Sequence, residues 1–389
     1  MELLFLIFAA ITFGYLFFTL IEFILGYRKI KNLSDQVIED RDLLPQVSIL
    51  LSVLNEEKSI EAVINSLLNL DYPNLEIIAI NDRSTDDTPA ILERLQKKHS
   101  RLRVHHIDQL PTGWFGKNHA LNFASQYARG KWLLFTDADV TMKSDTLLKA
   151  MSYALQNKLH HLTIHEHHFR EQFWLKVLLL GKYVSYSMVI KPWLIRDPKS
   201  KKSLGRGAFN LIEKDAYVNS GAHRAIALEC LDDLKLGQLL KKHGYRQDVV
   251  DGQDYVEFKW YGSLKEMIVG LEKNSFSFFN YHYALTFLTI AAALLIWIWP
   301  IIAVFVCSGV LFWLNAINVG LSIGIYAFIA KEYRLKKFYA LFYPVSIGIL
   351  LYTVWNSALR TYKNKGVVWR GTHYPLAMLR TKVGSSGDV

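Results

Sequence analysis

Hydrophobic positions along the chain follow three different rules. From Leu3 to Leu25 the residues are nearly all apolar, a run about long enough to cross a bilayer. From residue 47 onward, short apolar runs alternate with helix-spaced positions. Val47–Val53 (VSILLSV) is continuous, as a strand buried on both faces must be. Ile60, Val63, Ile64, Leu67 and Leu68 then share one helical face. Leu75–Ile80 (LEIIAI) reads as a second strand, and Thr88 followed by Pro89 opens a helix with Ile91, Leu92 and Leu95 inward. A third strand near Leu102–Ile107 leads through PTGWFGK into a helix ending at Gly130. Lys131–Thr136 is a fourth apolar run, and a later helical pattern holds Leu231–Gly237 and closes at Gly244. This alternation predicts an α/β fold with a doubly wound, mostly parallel sheet.

The third regime is apolar again. Gln172–Ile195 is broken by Lys176, Gly181, Lys182, Lys191 and Pro192, which suits helices lying in a membrane interface better than a clean span. Ala284–Ala330 is long enough for two spans, and Phe338–Leu359 offers a third. Composition agrees with a membrane protein: 51% of the 389 residues are hydrophobic although 21% are charged. The formal charge of +10 could suggest nucleic acid, but the cations flank apolar runs (Arg28, Lys29 and Lys31; Lys331, Arg334, Lys336 and Lys337). No interleaved aromatic and basic pattern for nucleic acid occurs. Glu2 before the first run and YRKIKN after it put the N-terminus outside and the following residues in the cytoplasm. With only Cys230 and Cys307 there is no disulfide framework.

Candidate chemistry sits at the ends of the strands, where open α/β sheets bind ligands. The fourth strand runs into Asp137 and Asp139, hard oxygen ligands suited to Mg2+ or Mn2+ on a diphosphate. The second ends at Asn81 and Asp82, and the first is followed by Asn55, Glu56 and Glu57. The first strand-to-helix turn, SVLNEEKS, has no glycine, so a dinucleotide fingerprint is absent, as is a phosphate-binding P-loop. Asp232 and Asp233 begin a helix, where they serve either as dipole caps or as working carboxylates. His160, His161, His165, His167 and His168 form a dense group without the spacing of a zinc site, and are read as a strand edge and its loop. Ser203–Asn210 (SLGRGAFN) suits a close backbone approach or a plain turn.

Taken together, SILLSVLNEE, NDRSTDDT, GWFGKNHAL, FTDADV and LDDLKLGQLLKKHGYR resemble the membrane-bound form of glycosyltransferase family 2. FKWYGSLKEMIVGLEKNSF and VVWRGTHY are similar to the branch holding ceramide glucosyltransferase and the hopanoid-associated and carotenoid-acid glycosyltransferases. The resemblance implies a GT-A fold, a UDP-sugar donor and a divalent metal. It implies that Asp82 contacts the uridine, with Asn55 and Glu57 lining the same pocket, and that Lys117 reaches the diphosphate. Asp139, with Asp137, would hold the metal, and Asp233 would be the base in one inverting displacement. Trp369 and Arg370 resemble a tryptophan and arginine that close over the site in processive synthases, in reversed order and without the accompanying glutamine.

The expected layout is a transmembrane helix over 1–26, a cytoplasmic catalytic domain over 27–280 with interfacial helices near 172–195, a transmembrane region over 281–360, and a cytoplasmic tail over 361–389. Three C-terminal crossings would leave Trp369 and Arg370 outside, yet both KEYRLKK and RTYKNK are basic, as cytoplasmic flanks are. Either one segment is re-entrant, with Pro344 making the last a candidate, or the Trp-Arg-Gly motif has no catalytic role; the first is the favoured reading. The expected partners are a UDP-sugar, a lipid acceptor and the bilayer, with no nucleic acid. The alternatives are a polysaccharide synthase and a non-catalytic membrane protein.

Overall fold

The computed structural model describes residues 2–168, 172–258 and 261–385. The chain divides into two compact units: Met1–Lys29 with Arg170–Lys191 and Trp260–Val389, and Ile30–Phe169 with Pro192–Lys259. The long apolar run forms α1 (Glu2–Tyr27), and a short β1 (Lys31–Asn32) follows. The first continuous run is β2 (Val47–Val53), and α2 (Ile60–Leu68) buries Ile60, Val63, Ile64 and Leu67 as their spacing requires. Next come β3 (Leu75–Asp82), α3 (Thr88–Lys98) with Pro89 in its first turn, β4 (Leu102–Ile107), α4 (Gly116–Tyr127) and β5 (Trp132–Phe135). After them lie β6 (Val140–Met142), α5 (Thr146–Gln156), β7 (His161–His165), β8 (His167–His168) and α6 (Phe173–Ile190). Then follow β9 (Asn210–Glu213), α7 (Lys214–Asn219), α8 (Asp232–Lys242), β10 (Gln247–Asp251) and β11 (Val256–Phe258). The rest of the chain holds α9 (Leu264–Ser277), α10 (Tyr283–Ala293), a wider turn (Leu294–Ile298), α11 (Trp299–Val306), α12 (Gly309–Glu332), α13 (Tyr343–Lys363), β12 (Gly366–Trp369), β13 (Thr372–Pro375) and α14 (Leu376–Ser385).

In the α/β unit, eight strands form one sheet in the order β1-β10-β7-β9-β5-β2-β3-β4. All pairs are parallel except those of β9, which runs antiparallel to β5 and β7. Side chains alternate between the two faces of a strand, so β2 sends Ile49 and Leu51 into one core with Ile77 and Leu134. It sends Leu50 into another with Ile78, Leu133 and Leu236. Burying each such side chain stabilises by about 1.5–3 kcal/mol. A smaller sheet, β6-β11-β8, begins immediately after Asp139. The parallel order places the C-terminal ends of β2, β3 and β5 side by side, at one rim.

In the helical unit, α1 lies along α12, where Asn318 Nδ2 donates to the Ala9 carbonyl at 3.1 Å. α10 and α11 form one arm of a hairpin that turns at Cys307–Ser308, and α12 is the other. Helix α13 starts with the Tyr343 ring 5.5 Å from Tyr326, near the end of α12, and finishes with the Tyr362 ring 6.3 Å from Tyr283, the first residue of α10. As one continuous helix of 21 residues it is about 30 Å long, so these two contacts fall at different levels: Tyr326 lies opposite Trp297, their rings 5.8 Å apart, and Tyr283 lies at the open end of the hairpin. Helix α6 is held at the same end, through Tyr183 stacked on Tyr333 at 3.6 Å and Tyr27 bonded to Ser187 at 2.6 Å. Among the described residues, five segments are long and apolar enough to cross a membrane by length and composition: Glu2–Tyr27, Phe173–Leu194, Tyr283–Val306, Gly309–Glu332 and Lys337–Lys363.

Candidate active site

The parallel order brings the loops after β2 and β3 together at one rim, and short polar contacts lace them. The Asn55 amide donates to Ser84 Oγ at 3.0 Å, and the Asn55 side chain accepts from the Thr85 amide at 2.8 Å. The Glu57 amide donates to Asp86 at 3.2 Å, and Glu57 accepts from the Asp87 amide at 3.2 Å. Asn55 and Glu57 thus tie the two loops here. Asp82, the last residue of β3, accepts from Arg83 Nε at 2.8 Å and Nη2 at 3.0 Å.

A second group gathers after β5. Lys117, in the first turn of α4, places its ammonium 2.7 Å from Asp137 and 3.0 Å from Asp232. Burial works against that charge, but the carboxylates of Asp137, Asp232 and Asp233 outweigh it and hold the amine well above its usual range. Asp233 accepts from the Gly207 amide at 2.9 Å, while the Gly207 carbonyl accepts from the Asp137 amide at 2.9 Å. One peptide segment therefore bridges an acid of the β5–β6 loop and an acid in the first turn of α8. A Cβ at Gly207 would lie 2.3 Å from Asp137 Oδ2, so the approach needs glycine. Lys117, Asp137, Asp232 and Asp233 line one pocket with Gly207, Asn210 and His223.

The electrostatics favour a cation. Burial, then the charges of Asp137 and Glu56, push the Asp139 carboxyl up to about 7. Burial and the neighbouring Asp232 push Asp233 up to about 6, against the pull of Lys117. Among the described residues no three His, Cys, Asp or Glu side chains converge as a complete protein-only metal cage. The donor set at Asp137 and Asp139 is nonetheless all oxygen, and its mutual repulsion is the kind a divalent ion relieves when a diphosphate supplies further ligands. Mg2+ or Mn2+ fits that set.

Other expected residues lie elsewhere. Trp369 and Arg370 belong to the helical unit, where Lys273 sits 3.5 Å above the Trp369 ring and Arg370 5.6 Å from it. His161 is buried against the Asn210 side chain, and His160 lies 4.0 Å from Glu213 at the strand edge. The side chains of His167 and His168 lie outside the described residues. The sequence pattern had not singled out Asp232 as a partner of Lys117, nor Gly207 as the bridge. The Gly-Arg-Gly of SLGRGAFN was the available signal for the latter.

The fold is that of the GT-A glycosyltransferases. It resembles a mannosyltransferase from Pyrobaculum calidifontis, solved with GDP-mannose and Mn2+, with a TM-score of 0.53 and 18% identity over 90% of this chain and 98% of that one. Residues 48–197 match the model of glycosyl transferase family 2. A beta-monoglucosyldiacylglycerol synthase of Nostoc sp. is 36% identical over 199 residues, covering 50% of this chain and 40% of the relative. A 4,4'-diaponeurosporenoate glycosyltransferase of Staphylococcus haemolyticus is 25% identical over 262 residues, covering 66% and 68%. The chain spans about 40% of the length of the Nostoc relative.

Proposed function

We propose that this chain is an inverting, metal-dependent glycosyltransferase that moves one sugar from a UDP-sugar to a lipid acceptor at the cytoplasmic face of a membrane. The observation that carries this reading is the meeting of Lys117, Asp137, Asp232 and Asp233 in one pocket at the sheet's C-terminal rim. Sugar transfer from a nucleotide needs a cationic hold on the leaving diphosphate and a base for the acceptor hydroxyl. Lys117 supplies the first, and Asp137 with Asp139 would hold the metal. A bound Mg2+ or Mn2+ would offset charge building on the departing diphosphate. Asp233 takes the hydroxyl proton as the acceptor oxygen bonds to the anomeric carbon. The bond from that carbon to the diphosphate oxygen breaks on the opposite side, so the carbon inverts. A carboxyl near 6 is ionised at neutral pH and basic enough for this role. Asp82, Asn55 and Glu57 are assigned to the nucleoside end, and Trp369 and Arg370 to closure over the donor.

A lipid acceptor is supported by the apolar helices on the same chain and by relatives whose names describe lipid products. Leu162 of β7 and Leu211 of β9, which precede and follow α6, pair in one sheet, which supports the reading that α6 lies in the interface without crossing. A re-entrant course for α13 is supported by its two basic flanks, KEYRLKK and RTYKNK. Three crossings then remain, by α1, α10–α11 and α12, few for a polymer-conducting channel.

The test uses membranes from cells expressing wild type or Asp233→Asn, incubated with a panel of labelled UDP-sugars and Mg2+ or Mn2+. Organic-soluble label that requires metal and falls at least about 100-fold in the variant is expected. Equal label from both preparations would remove Asp233 as base. Label confined to an insoluble polymer would favour a synthase.

A further inference from the structure

We propose that Glu166 and Arg206 are positioning residues: their buried ion pair sets the Gly207 peptide, and through it the Asp233 carboxylate. This rests on the sugar-transfer reading above and adds to it how the base is held.

The backbone around Arg206 has few side chains of its own to fix it. Positions 205, 207 and 208 are Gly, Gly and Ala, and glycine leaves a chain wide conformational freedom. The segment nevertheless lies directly on the start of α8. A Cβ at Gly205 would lie 2.0 Å from the Asp233 carbonyl oxygen, and one at Gly237 would lie 2.6 Å from the Leu204 carbonyl carbon. The chain turns here, with the Phe209 amide donating to the Arg206 carbonyl at 3.2 Å. Inside that turn Gly207 gives its amide to one oxygen of Asp233. The other oxygen accepts from the Leu234 amide at 2.8 Å, within the same helix, so Gly207 supplies a hold from outside α8. The carboxylate is placed only as well as the Gly207 peptide is.

Arg206 supplies the brace. Its Nε and Nη2 donate to the two oxygens of Glu166, a two-pronged pair that fixes the plane of the guanidinium as well as its distance. The Arg206 side chain is 12% exposed and that of Glu166 5%. Glu166 directly follows β7, which pairs along its whole length with β10 and over His161–Thr163 with β9. The acid therefore stands one residue beyond a rigid sheet. On the far side of the turn, Thr136 donates to the Ala208 carbonyl at 2.9 Å and Thr163 to the Phe209 carbonyl at 2.8 Å. An arginine between two glycines beside a diphosphate site could have served the diphosphate itself. Among the described residues that line the pocket with Lys117, however, Gly207 is present and Arg206 is not.

The test compares wild type, Arg206→Lys, Glu166→Gln and Glu166→Gln/Arg206→Gln, each as the full chain in cell membranes. Labelled UDP-glucose, UDP-galactose and UDP-N-acetylglucosamine are supplied with Mn2+, and the membranes' own lipids serve as acceptor. Melting temperatures are read on the purified chains in detergent. Arg206→Lys keeps the buried charge but lacks the fork, so it should melt within a few degrees of wild type. Its saturating rate per chain should fall about 10- to 100-fold, as for a reacting group misplaced by about 1 Å, with the donor KM changed less than about 3-fold. The double variant should lose no more than the worse single variant, because the two side chains act as one unit. An unaltered rate in Arg206→Lys would overturn the proposal, as would a double loss equal to the product of the single losses. A raised donor KM with an unaltered rate would put Arg206 on the donor, and would overturn it too. Should Glu166→Gln melt early, Arg206→Lys decides the matter alone. Absence of organic-soluble label from wild type with every donor would overturn the sugar-transfer reading itself, and the proposal with it.

Discussion

At the scale of single residues, the pocket is shaped by what is missing from Gly207 as much as by the carboxylates around it. Its amide and carbonyl fasten Asp233 and the Asp137 backbone, and its lack of a side chain lets Asp137 come close. In Gly207→Ala, the new methyl would displace a flexible carboxylate rather than backbone, so the fold should survive. A shift of about 1 Å in a positioned group can cost on the order of 100-fold in rate. We expect a fall in kcat of about 10- to 100-fold with a melting temperature within a few degrees of wild type. A variant with unaltered kcat would show that the Asp137 approach is incidental. Residues such as Asp137, Asp139 and Asp233 were legible as candidates because strand ends and helix starts can be located from hydrophobic spacing. The pairing of Asp232 with Lys117 was not, because the two lie over a hundred positions apart in the chain and only the fold brings them together.

At the scale of elements, periodicity served well where an element has one way to satisfy it. The run Val47–Val53 could only be a doubly buried strand, and it is the centre of the parallel array. The segments around α6 and α13 differ in kind, since an apolar helix of that length is equally consistent with crossing a bilayer or lying at its edge. The two helices pack on one another, with Gly181 of α6 directly on Ser346 of α13, and the course proposed for both is one that does not cross. A labelling experiment follows, in a chain whose Cys230 and Cys307 are replaced by serine. Single cysteines introduced as Lys201→Cys and Asn364→Cys should react with a membrane-impermeant maleimide from one side of sealed vesicles, and Ser308→Cys from the other. Reaction of Asn364→Cys from the same side as Ser308→Cys would mean that α13 crosses, and would put Trp369 and Arg370 away from the donor.

At the scale of the whole molecule, buried titrating groups of opposite tendency set the response to pH. Burial pushes His161 and His223 down to about 4, from an ordinary value near 6.5. Between pH 6.5 and 4 the unfolded chain therefore takes up protons that the folded chain refuses, and stability falls as pH falls. Asp139 and Asp233 act the other way: their folded carboxyls, raised to about 7 and about 6, take protons before the unfolded ones do, so stability rises over the same range. Each group contributes on the order of 3–4 kcal/mol, so the two pairs largely offset one another. Metal-free wild type should accordingly show a shallow melting profile between pH 7.5 and 5, read by tryptophan fluorescence in detergent. Asp139→Asn/Asp233→Asn should melt higher at pH 7.5 and lose that gain steeply below pH 6.5. Parallel profiles for the two proteins would contradict the assignment of raised carboxyls. The sequence by itself determined the alternating α/β plan, the acids at the strand ends and the apolar helices, because each follows from spacing within a short stretch of chain. Only the tertiary structure decided that Lys117 is shared between Asp137 and Asp232, that Asp82 is clamped by Arg83, and that Gly181 of α6 packs on Ser346 of α13. Those outcomes depend on which distant segments come into contact, and hydrophobic spacing carries no record of that.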